Sequence, residues 1–248
     1  MKSGKHQMII TMAGIGMRFR KAGYDKPKYM IEVKGRTLFE WAMESLRNWF
    51  STSKFHFIVL EQDNASAFIE QTSKKTGISD VNIIQIAKQT DGQATSALFV
   101  ENFIENPDSS MSIYNIDTFV EPVGLPCTKP SCDGWIPCFP GAGDGWSFVG
   151  LDSEGFATEV REKKRISPHA TIGFYWFSSW KLYRQVYNEY YSNTANLEKN
   201  EKYVAPLYNK LISDGRKVRI HEIPIKLVHA LGTPEEVNLF RESDWSAE

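Results

Sequence analysis

Glycines and basic residues follow the first apolar run of the chain. Residues 8–13 are typical of a buried strand, and Gly14, Gly16, Arg18 and Lys26 come soon after it. Glycine lets backbone N–H groups approach phosphate oxygens, and it adopts the positive φ angles of an anion-binding loop. Arginine and lysine add charge-assisted hydrogen bonds to such an anion. The segment therefore predicts a binding site for a polyphosphate.

Two common phosphate-binding motifs do not fit this segment. A dinucleotide-binding fingerprint needs glycine or alanine three positions after Gly16, where Phe19 stands. A Walker loop ends in Gly-Lys-Ser or Gly-Lys-Thr, whereas this loop ends in Lys-Pro-Lys at residues 26–28. Neither class of nucleotide-binding protein is indicated.

The pattern Ala-Gly-x-Gly-x-Arg-Phe over residues 13–19, followed by Lys-Pro-Lys, resembles the signature of the nucleotidyltransferase superfamily. This superfamily includes sugar-1-phosphate nucleotidylyltransferases and phosphocholine cytidylyltransferases. The resemblance implies a loop that wraps the phosphates of an NTP, with Arg18 and Lys26 offsetting the charge of the departing pyrophosphate. It also implies nucleotide contacts at Met12, Ala13, Gly14 and Gly16.

A second candidate is the carboxylate of Asp117, which follows an apolar run at residues 111–116. By resemblance it stands where the superfamily has an aspartate at the carboxyl end of a central strand. A carboxylate oxygen suits Mg²⁺, which would bridge the nucleotide phosphates. The alternative is that Asp117 only forms the turn that ends the strand.

The segment Gln89-Thr90-Asp91-Gly92 lies between a predicted strand and a predicted helix, which is a crevice position in open α/β sheets. By resemblance, Gln89 and Gly92 read the edge of the nucleotide base. The alternative is a plain helix cap, with Thr90 or Asp91 as the capping residue.

Residues 160–163 (Val-Arg-Glu-Lys) resemble a V-x-E-K segment of the superfamily. The resemblance implies that Lys163 binds the phosphate of the acceptor and that Glu162 positions the acceptor. Gly173, in the next predicted strand, would leave space for the acceptor. A charged run on a strand is otherwise a solvated face, and that alternative stays open.

The segment Gly232-Thr233-Pro234 also resembles the superfamily, in which an aspartate two residues before this glycine is commonly a second metal ligand. Ala230 occupies that position here. His229 or water are the candidates to replace the missing carboxylate.

These residues need a sheet to position them, and the periodicity predicts one. Strands at residues 8–13, 55–60, 81–86 and 111–116 alternate with helices, and the first helix has a capping box at Thr37 and Glu40. The next helices are predicted at about residues 63–76 and 93–104. Later strands, with one at 134–139 in the loop-rich segment and one at 170–177, follow one another without helices, so the second half is predicted to be mixed or antiparallel. The alternation predicts an α/β fold with a mixed, mostly parallel central sheet, and the resemblance to the superfamily implies the Rossmann-like (GT-A-like) form of it, a three-layer sandwich. One domain over residues 1–248 is expected, with a loop-rich insertion at about 119–145.

Composition excludes several classes of function. Lys plus Arg (29) nearly balances Asp plus Glu (30), so nucleic acid is not expected as a partner. The sequence contains no secretory signal and no apolar run long enough to cross a membrane, so a cytoplasmic location is expected and no membrane partner. Cys127, Cys132 and Cys138 lack the spacing of a zinc site and are interpreted as free thiols. The sequence does not indicate an oligomeric state.

The implied reaction is attack by an acceptor phosphate on the α-phosphorus of an NTP, with Mg²⁺ as cofactor. The sequences of residues 10–14, 26–31 and 37–42 look most like those of the small capsule-biosynthesis members of the superfamily, among them CTP:phosphoglutamine cytidylyltransferases. That resemblance favours CTP and a phosphoglutamine-like acceptor. The alternatives are a sugar-1-phosphate nucleotidylyltransferase using UTP or dTTP, a metal-dependent glycosyltransferase, and a non-catalytic nucleotide-binding regulator.

Overall fold

The computed structural model describes residues 4–245. Its strands are, in chain order, β1 His6–Thr11, β2 Glu32–Val33, β3 Arg36–Thr37, β4 Ser53–Leu60, β5 Val81–Ile86, β6 Met111–Asn115, β7 Thr118–Val120, β8 Gly134–Pro140, β9 Ser147–Leu151, β10 Ala157–Glu162, β11 His169–Thr171, β12 Phe174–Phe177, β13 Val218–Glu222 and β14 Val228–Ala230. Its α-helices are α1 Met17–Lys21, α2 Leu38–Ser45, α3 Ser66–Thr76, α4 Gln93–Ala97, α5 Trp180–Tyr190, α6 Tyr208–Ser213 and α7 Pro234–Glu242.

The main sheet has ten strands in the order β10-β9-β11-β8-β12-β6-β1-β4-β5, and β13 pairs with β8 outside this order. The pairs among β6, β1, β4 and β5 are parallel. Strands β8 to β12 pair antiparallel to their neighbours, and β13 runs parallel to β8. The α/β, Rossmann-like fold with a mixed sheet is confirmed, but four of the nine strand pairs of the main sheet are parallel, so the sheet is not mostly parallel.

Helices cover both faces of this sheet. Successive residues of a strand point to opposite faces, and Ile9 packs with residues of α4, α5 and α6 while Met8 and Ile10 pack with residues of α2 and α3. Because β1 lies between parallel neighbours and is buried on both faces, its central residues 8–10 are continuously apolar rather than alternating.

Two capping boxes fix the starts of helices, as their sequences predict. The Thr37 side chain accepts from the Glu40 backbone at α2, and Thr233 and Glu236 form the same arrangement at α7, where Pro234 is the first helical residue. The predicted helix at residues 63–76 begins later than expected, at Ser66, without a side-chain cap. Asp63 instead accepts a hydrogen bond from the Tyr29 hydroxyl.

Several other predicted boundaries differ from the structure. The basic loop contains the helix α1, whose Phe19 is buried, and the helix predicted for residues 93–104 changes to a 3₁₀-helix from Leu98 onward. The strand predicted for residues 170–177 is interrupted at Gly173, which has a φ of 78°. The strand predicted within the loop-rich segment is β8, which lies between β11 and β12 in the main sheet.

Within residues 4–245, no helix has both the length and the apolar character needed to cross a membrane.

Candidate active site

Two pockets open side by side at the carboxyl ends of β1 and β6. These strands are parallel neighbours with Thr11 opposite Asn115, so the segments that follow them lie next to each other. The first pocket has a volume of about 400 Å³ and the second about 580 Å³. Four residues line both of them: Gln93, Asn115, Asp117 and Glu201. The arrangement can hold two ligands that meet over these four side chains.

The first pocket contains the six residues that were predicted as nucleotide contacts, but not Arg18 or Lys26, which were predicted to offset the charge of the pyrophosphate. Its lining includes Met12, Ala13, Gly14, Gly16, Gln89 and Gly92. Gly16 has a φ of 67°, in the left-handed region that favours glycine, and it directly precedes α1. Met12 and Ala13 are buried, whereas Gly14 is exposed and a Cβ there would meet nothing within 4 Å. The loop thus leaves open backbone beside the pocket.

The basic residue that enters this pocket is Lys28 and not Lys26. The Nζ atom of Lys28 lies 3.0 Å from Oδ2 of Asp117, and its side chain is only 17% exposed. Lys26, which the resemblance indicated, is exposed and lines neither pocket. Pro27 and the buried Tyr29 on either side of Lys28 anchor the backbone, and Tyr29 donates a 2.9 Å hydrogen bond to Asp63. The sequence alone does not distinguish the two lysines, and the structure does so through the burial of Tyr29, the residue after Lys28.

Asp117 follows the end of β6 and reaches both pockets. Its backbone oxygen accepts a 2.8 Å hydrogen bond from the Leu231 N–H, which joins it to the segment before α7. Its carboxylate is paired with Lys28 and remains 34% exposed. The residue therefore borders the space where the two pockets join.

An amide pair that the motifs did not indicate lies under this junction. Gln93 Nε2 donates to Thr11 Oγ1 at 2.9 Å and also to Asn115 Oδ1. Gly173, which was predicted to leave space for an acceptor, packs against this pair. A Cβ on Gly173 would lie 2.4 Å from Asn115 Nδ2. The space in front of Gly173 is thus filled by the Asn115 amide, which a sequence pattern cannot reveal.

Gly92 is the N-cap of α4 and has no side-chain cap. A Cβ on Gly92 would lie 2.4 Å from the Lys202 backbone oxygen, so only glycine fits without a shift. The backbone N–H of Lys202 donates to the backbone oxygen of Asp91 at 2.8 Å. The Nζ atom of Lys202 lies 2.7 Å from Asp91 Oδ2. Asp91 therefore holds the segment at residues 198–203 and does not cap the helix, which corrects that alternative.

The second pocket contains the predicted acceptor residues Glu162, Lys163 and Gly173, together with Arg18. Lys163 Nζ lies 3.0 Å from the Tyr203 hydroxyl and 3.5 Å from Glu162 Oε1. Burial lowers the pKa of Lys163, but the hydrogen bond with Tyr203 and the Glu162 charge outweigh it and raise the pKa. Lys163 is consequently a positive charge at neutral pH. Tyr203 and Glu201 come from residues 198–203, a segment that carries no recognisable motif.

The segment before α7 has no carboxylate at residue 230. Ala230 pairs with Thr118 in the small sheet of β14 and β7. His229 stacks on Phe119 with a ring-centroid distance of 5.2 Å, and it lines neither pocket. His229 is therefore not placed to replace a metal ligand there. Among residues 4–245, no group of three or more His, Cys, Asp or Glu side chains could hold a metal ion.

The three cysteines are free thiols, as predicted, and Cys138 is buried in β8. Of the tryptophans near the loop-rich segment, Trp135 is core. Trp146 packs edge-on against Phe139, with ring centroids 5.0 Å apart, and lines the second pocket.

Three solved structures share this architecture. The nucleoside-diphosphate-sugar pyrophosphorylase from Vibrio cholerae RC9 is 32% identical, the match covers 95% of this chain and 100% of that chain, and the TM-score is 0.88. The inositol-1-phosphate CTP transferase from T. maritima is 16% identical over 99% of this chain and 100% of that one, with a TM-score of 0.74. The UDP-glucose pyrophosphorylase from Acinetobacter baumanii is 16% identical over 95% and 91%, with a TM-score of 0.70. No protein-family model and no curated protein sequence matches the chain.

Proposed function

Because this chain belongs to the nucleotidyltransferases, in the family of the nucleoside-diphosphate-sugar pyrophosphorylase, we propose that it joins the NMP of an NTP to a phosphorylated small molecule. The observation that carries the proposal is the junction of two pockets over Asp117. One pocket begins with an open glycine loop, and the other contains Lys163 and Arg18. A polyphosphate and a phosphate ester are the ligands that such a pair of pockets suits.

In this proposal the first pocket binds the nucleotide. The backbone of residues 12–16 faces the phosphates, and Gln89 and Gly92 lie near the base. Lys28 takes the part that the motif resemblance assigned to Lys26, because its ammonium group is in the pocket. Its positive charge offsets the charge that develops on the departing pyrophosphate.

Mg²⁺ is the proposed cofactor, held by Asp117. Mg²⁺ is bound in phosphate-transfer sites by one or two carboxylates together with substrate phosphates and water, so a cluster of three protein ligands is not required. The hard carboxylate oxygens of Asp117, 34% exposed at the junction of the pockets, fit this requirement. When bound, the cation supplies positive charge to the phosphates at the reacting phosphorus.

The second pocket binds the acceptor so that its phosphate oxygen attacks the α-phosphorus of the NTP. A bond forms between these atoms, and the bond from the α-phosphorus to the bridging oxygen breaks, so that pyrophosphate leaves with the electron pair. A phosphate monoester is already anionic at neutral pH, and no side-chain nucleophile is needed. Lys163 and Arg18 reduce the repulsion between the two anionic substrates, and Gln93 and Asn115 border the place where they meet.

CTP and a phosphoglutamine-like acceptor, in capsular polysaccharide biosynthesis, are the substrates and role we propose. They are supported by the resemblance of residues 10–14, 26–31 and 37–42 to capsule-biosynthesis enzymes. The second pocket suits an acceptor that carries both positive and negative groups, because Asp144, Glu162 and Glu201 line it beside the basic residues. The second candidate is transfer to a sugar 1-phosphate with UTP or dTTP, which the family of the 32% identical pyrophosphorylase favours. A metal-dependent glycosyltransferase is less well supported, since Asp117-Thr118-Phe119 lacks a second aspartate.

The proposed function is tested by magnesium-dependent pyrophosphate release. Each of CTP, UTP, dTTP, ATP and GTP is offered with phosphoglutamine, phosphocholine or glucose 1-phosphate. Release that needs one NTP and one acceptor is expected, with CTP and phosphoglutamine giving the highest rate. Highest activity with UTP or dTTP and glucose 1-phosphate would replace the proposed substrates with the second candidate. Tight NTP binding without release under any combination would contradict the enzyme and favour a nucleotide-binding regulator.

Replacing Lys163 by methionine is expected to raise KM for the acceptor by about 10- to 100-fold, the cost of losing a hydrogen bond to a charged group. KM for the NTP should change little, because Lys163 lines only the second pocket. Initial rates at varied acceptor and fixed NTP measure this effect. Lys164→Met is the matched control, since the neighbouring Lys164 is exposed and lines neither pocket. Equal KM values for the two variants would remove Lys163 from the acceptor site.

A further inference from the structure

Two carboxylates face each other across Gly232. The point that a Cβ on Gly232 would occupy lies 3.3 Å from Glu236 Oε2 and 3.4 Å from Asp117 Oδ2. The first distance is shorter than an ordinary van der Waals contact and the second is at its lower limit, so a side chain at this position would contact both acids. Asp117, Gly232 and Glu236 all line the second pocket. The glycine thus keeps open a small space bordered by two negative side chains.

Glu236 uses only one of its carboxylate oxygens inside the protein. Oε2 accepts hydrogen bonds from the Gly232 N–H at 2.8 Å and from the Thr233 N–H at 2.9 Å, which is the capping box of α7. Within residues 4–245, Oε1 has no hydrogen-bond partner and the carboxylate has no basic partner. The capping bonds therefore fix the orientation of the group and leave one oxygen and its charge available.

The carboxylates of Asp117 and Glu236 differ in their ion-pair partners. Lys28 pairs with Asp117 Oδ2 at 3.0 Å, and no similar partner accompanies Glu236 among the described side chains. The two residues considered above for a second metal ligand do not offer one. Ala230 has no ligand atom in its side chain, and His229 is directed to Glu121. Among the described acids of residues 229–242, Glu236 is the one that lines the second pocket together with Asp117.

We propose that Glu236 supplies the second negative charge for the divalent cation at Asp117, in addition to capping α7. The inference rests on the proposed function, because it presupposes the cation at Asp117. Carboxylates oriented by hydrogen bonds are effective partners for a metal site, and losing such a partner costs about 10- to 100-fold in metal affinity. The role of Glu236 is therefore measurable by metal binding without any turnover.

Mn²⁺ serves as the probe, added to the full chain without substrates, and the electron paramagnetic resonance signal of free Mn²⁺ reports binding. Glu236→Gln keeps an oxygen for the capping bonds and removes the charge. Glu40→Gln is the matched control, because Glu40 has the same capping-box role in α2, away from both pockets. Glu236→Gln is expected to bind Mn²⁺ about tenfold more weakly than the wild type, and Glu40→Gln to bind it equally. Thermal unfolding of both variants verifies that each is folded.

The outcomes separate this inference from the function on which it rests. Unchanged Mn²⁺ affinity in Glu236→Gln, together with weakened affinity in Asp117→Asn, would leave Glu236 as a helix cap only and overturn the inference. Asp117→Asn with wild-type affinity, or no Mn²⁺ binding by the wild type, would overturn the metal site itself. A matching loss in Glu40→Gln would trace the effect to helix stability and also overturn the inference.

Discussion

Asp117→Asn is expected to lower kcat/KM for nucleotidyl transfer by about 10³-fold, at the upper end of the effect of losing one group that stabilises transition-state charge. Asparagine keeps the shape of the side chain and removes its charge. Two losses combine in this variant, because the carboxylate is both the proposed ligand of Mg²⁺ and the partner of Lys28 at 3.0 Å. Pyrophosphate release at saturating Mg²⁺ measures the result.

The matched control for this variant is Asp108→Asn. Asp108 is exposed and lines neither of the two pockets of the site. This variant should keep the wild-type kcat/KM. The Leu231 N–H bonds to the backbone oxygen of Asp117, so the substitution leaves that contact in place. A folded Asp117→Asn protein with wild-type activity would refute the assignment of the site.

Lys28→Met is expected to lower kcat by about 10²-fold, whereas Lys26→Met should behave like the wild type. The two lysines flank Pro27 in the same motif, yet only Lys28 lines the first pocket and pairs with Asp117. Methionine preserves most of the apolar length of the side chain, so the change tests the charge. Steady-state rates for both variants at saturating substrates are the measurement.

The two lysine variants also decide between two assignments of the residue that neutralises pyrophosphate. The motif resemblance alone favours Lys26, and the geometry favours Lys28. A large loss in Lys26→Met with normal activity in Lys28→Met would reverse the assignment and require the loop to rearrange when nucleotide binds. Equal, small losses in both would remove this segment from the neutralisation of pyrophosphate.

The strands and most helices could be predicted because local rules dominate in them. The apolar run of β1, the strand β5 and the capping boxes at Thr37 and Thr233 are visible as patterns of neighbouring residues. The helix α1 could not be predicted in the same way, because its five residues follow glycines and include three basic side chains. What holds Phe19 there is packing against Tyr24 and the rest of a buried cluster, which is a tertiary effect.

The candidate site likewise combines residues that local motifs indicate with contacts that only the fold creates. The glycine loop and Asp117 belong to motifs, so their sequence alone led to the pocket. The pairing of Gln93 with Asn115, the fit of Gly92 against Lys202 and the position of Tyr203 near Lys163 join residues that are far apart in the chain. No local pattern contains these contacts. Lys28 shows the limit most clearly, because two equivalent lysines in one motif are distinguished only by the direction of a backbone anchored at Tyr29.

The most direct test of the central claim follows the phosphorus atoms of the nucleotide. CTP that carries radioactive phosphorus at either the α or the γ position is incubated with the enzyme, Mg²⁺ and phosphoglutamine, and the products are separated. The α label is expected in a new cytidylylated acceptor and the γ label in pyrophosphate, in equal amounts. Transfer of the γ label to the acceptor, or its release as inorganic phosphate, would contradict nucleotidyl transfer and show that the protein breaks a different bond.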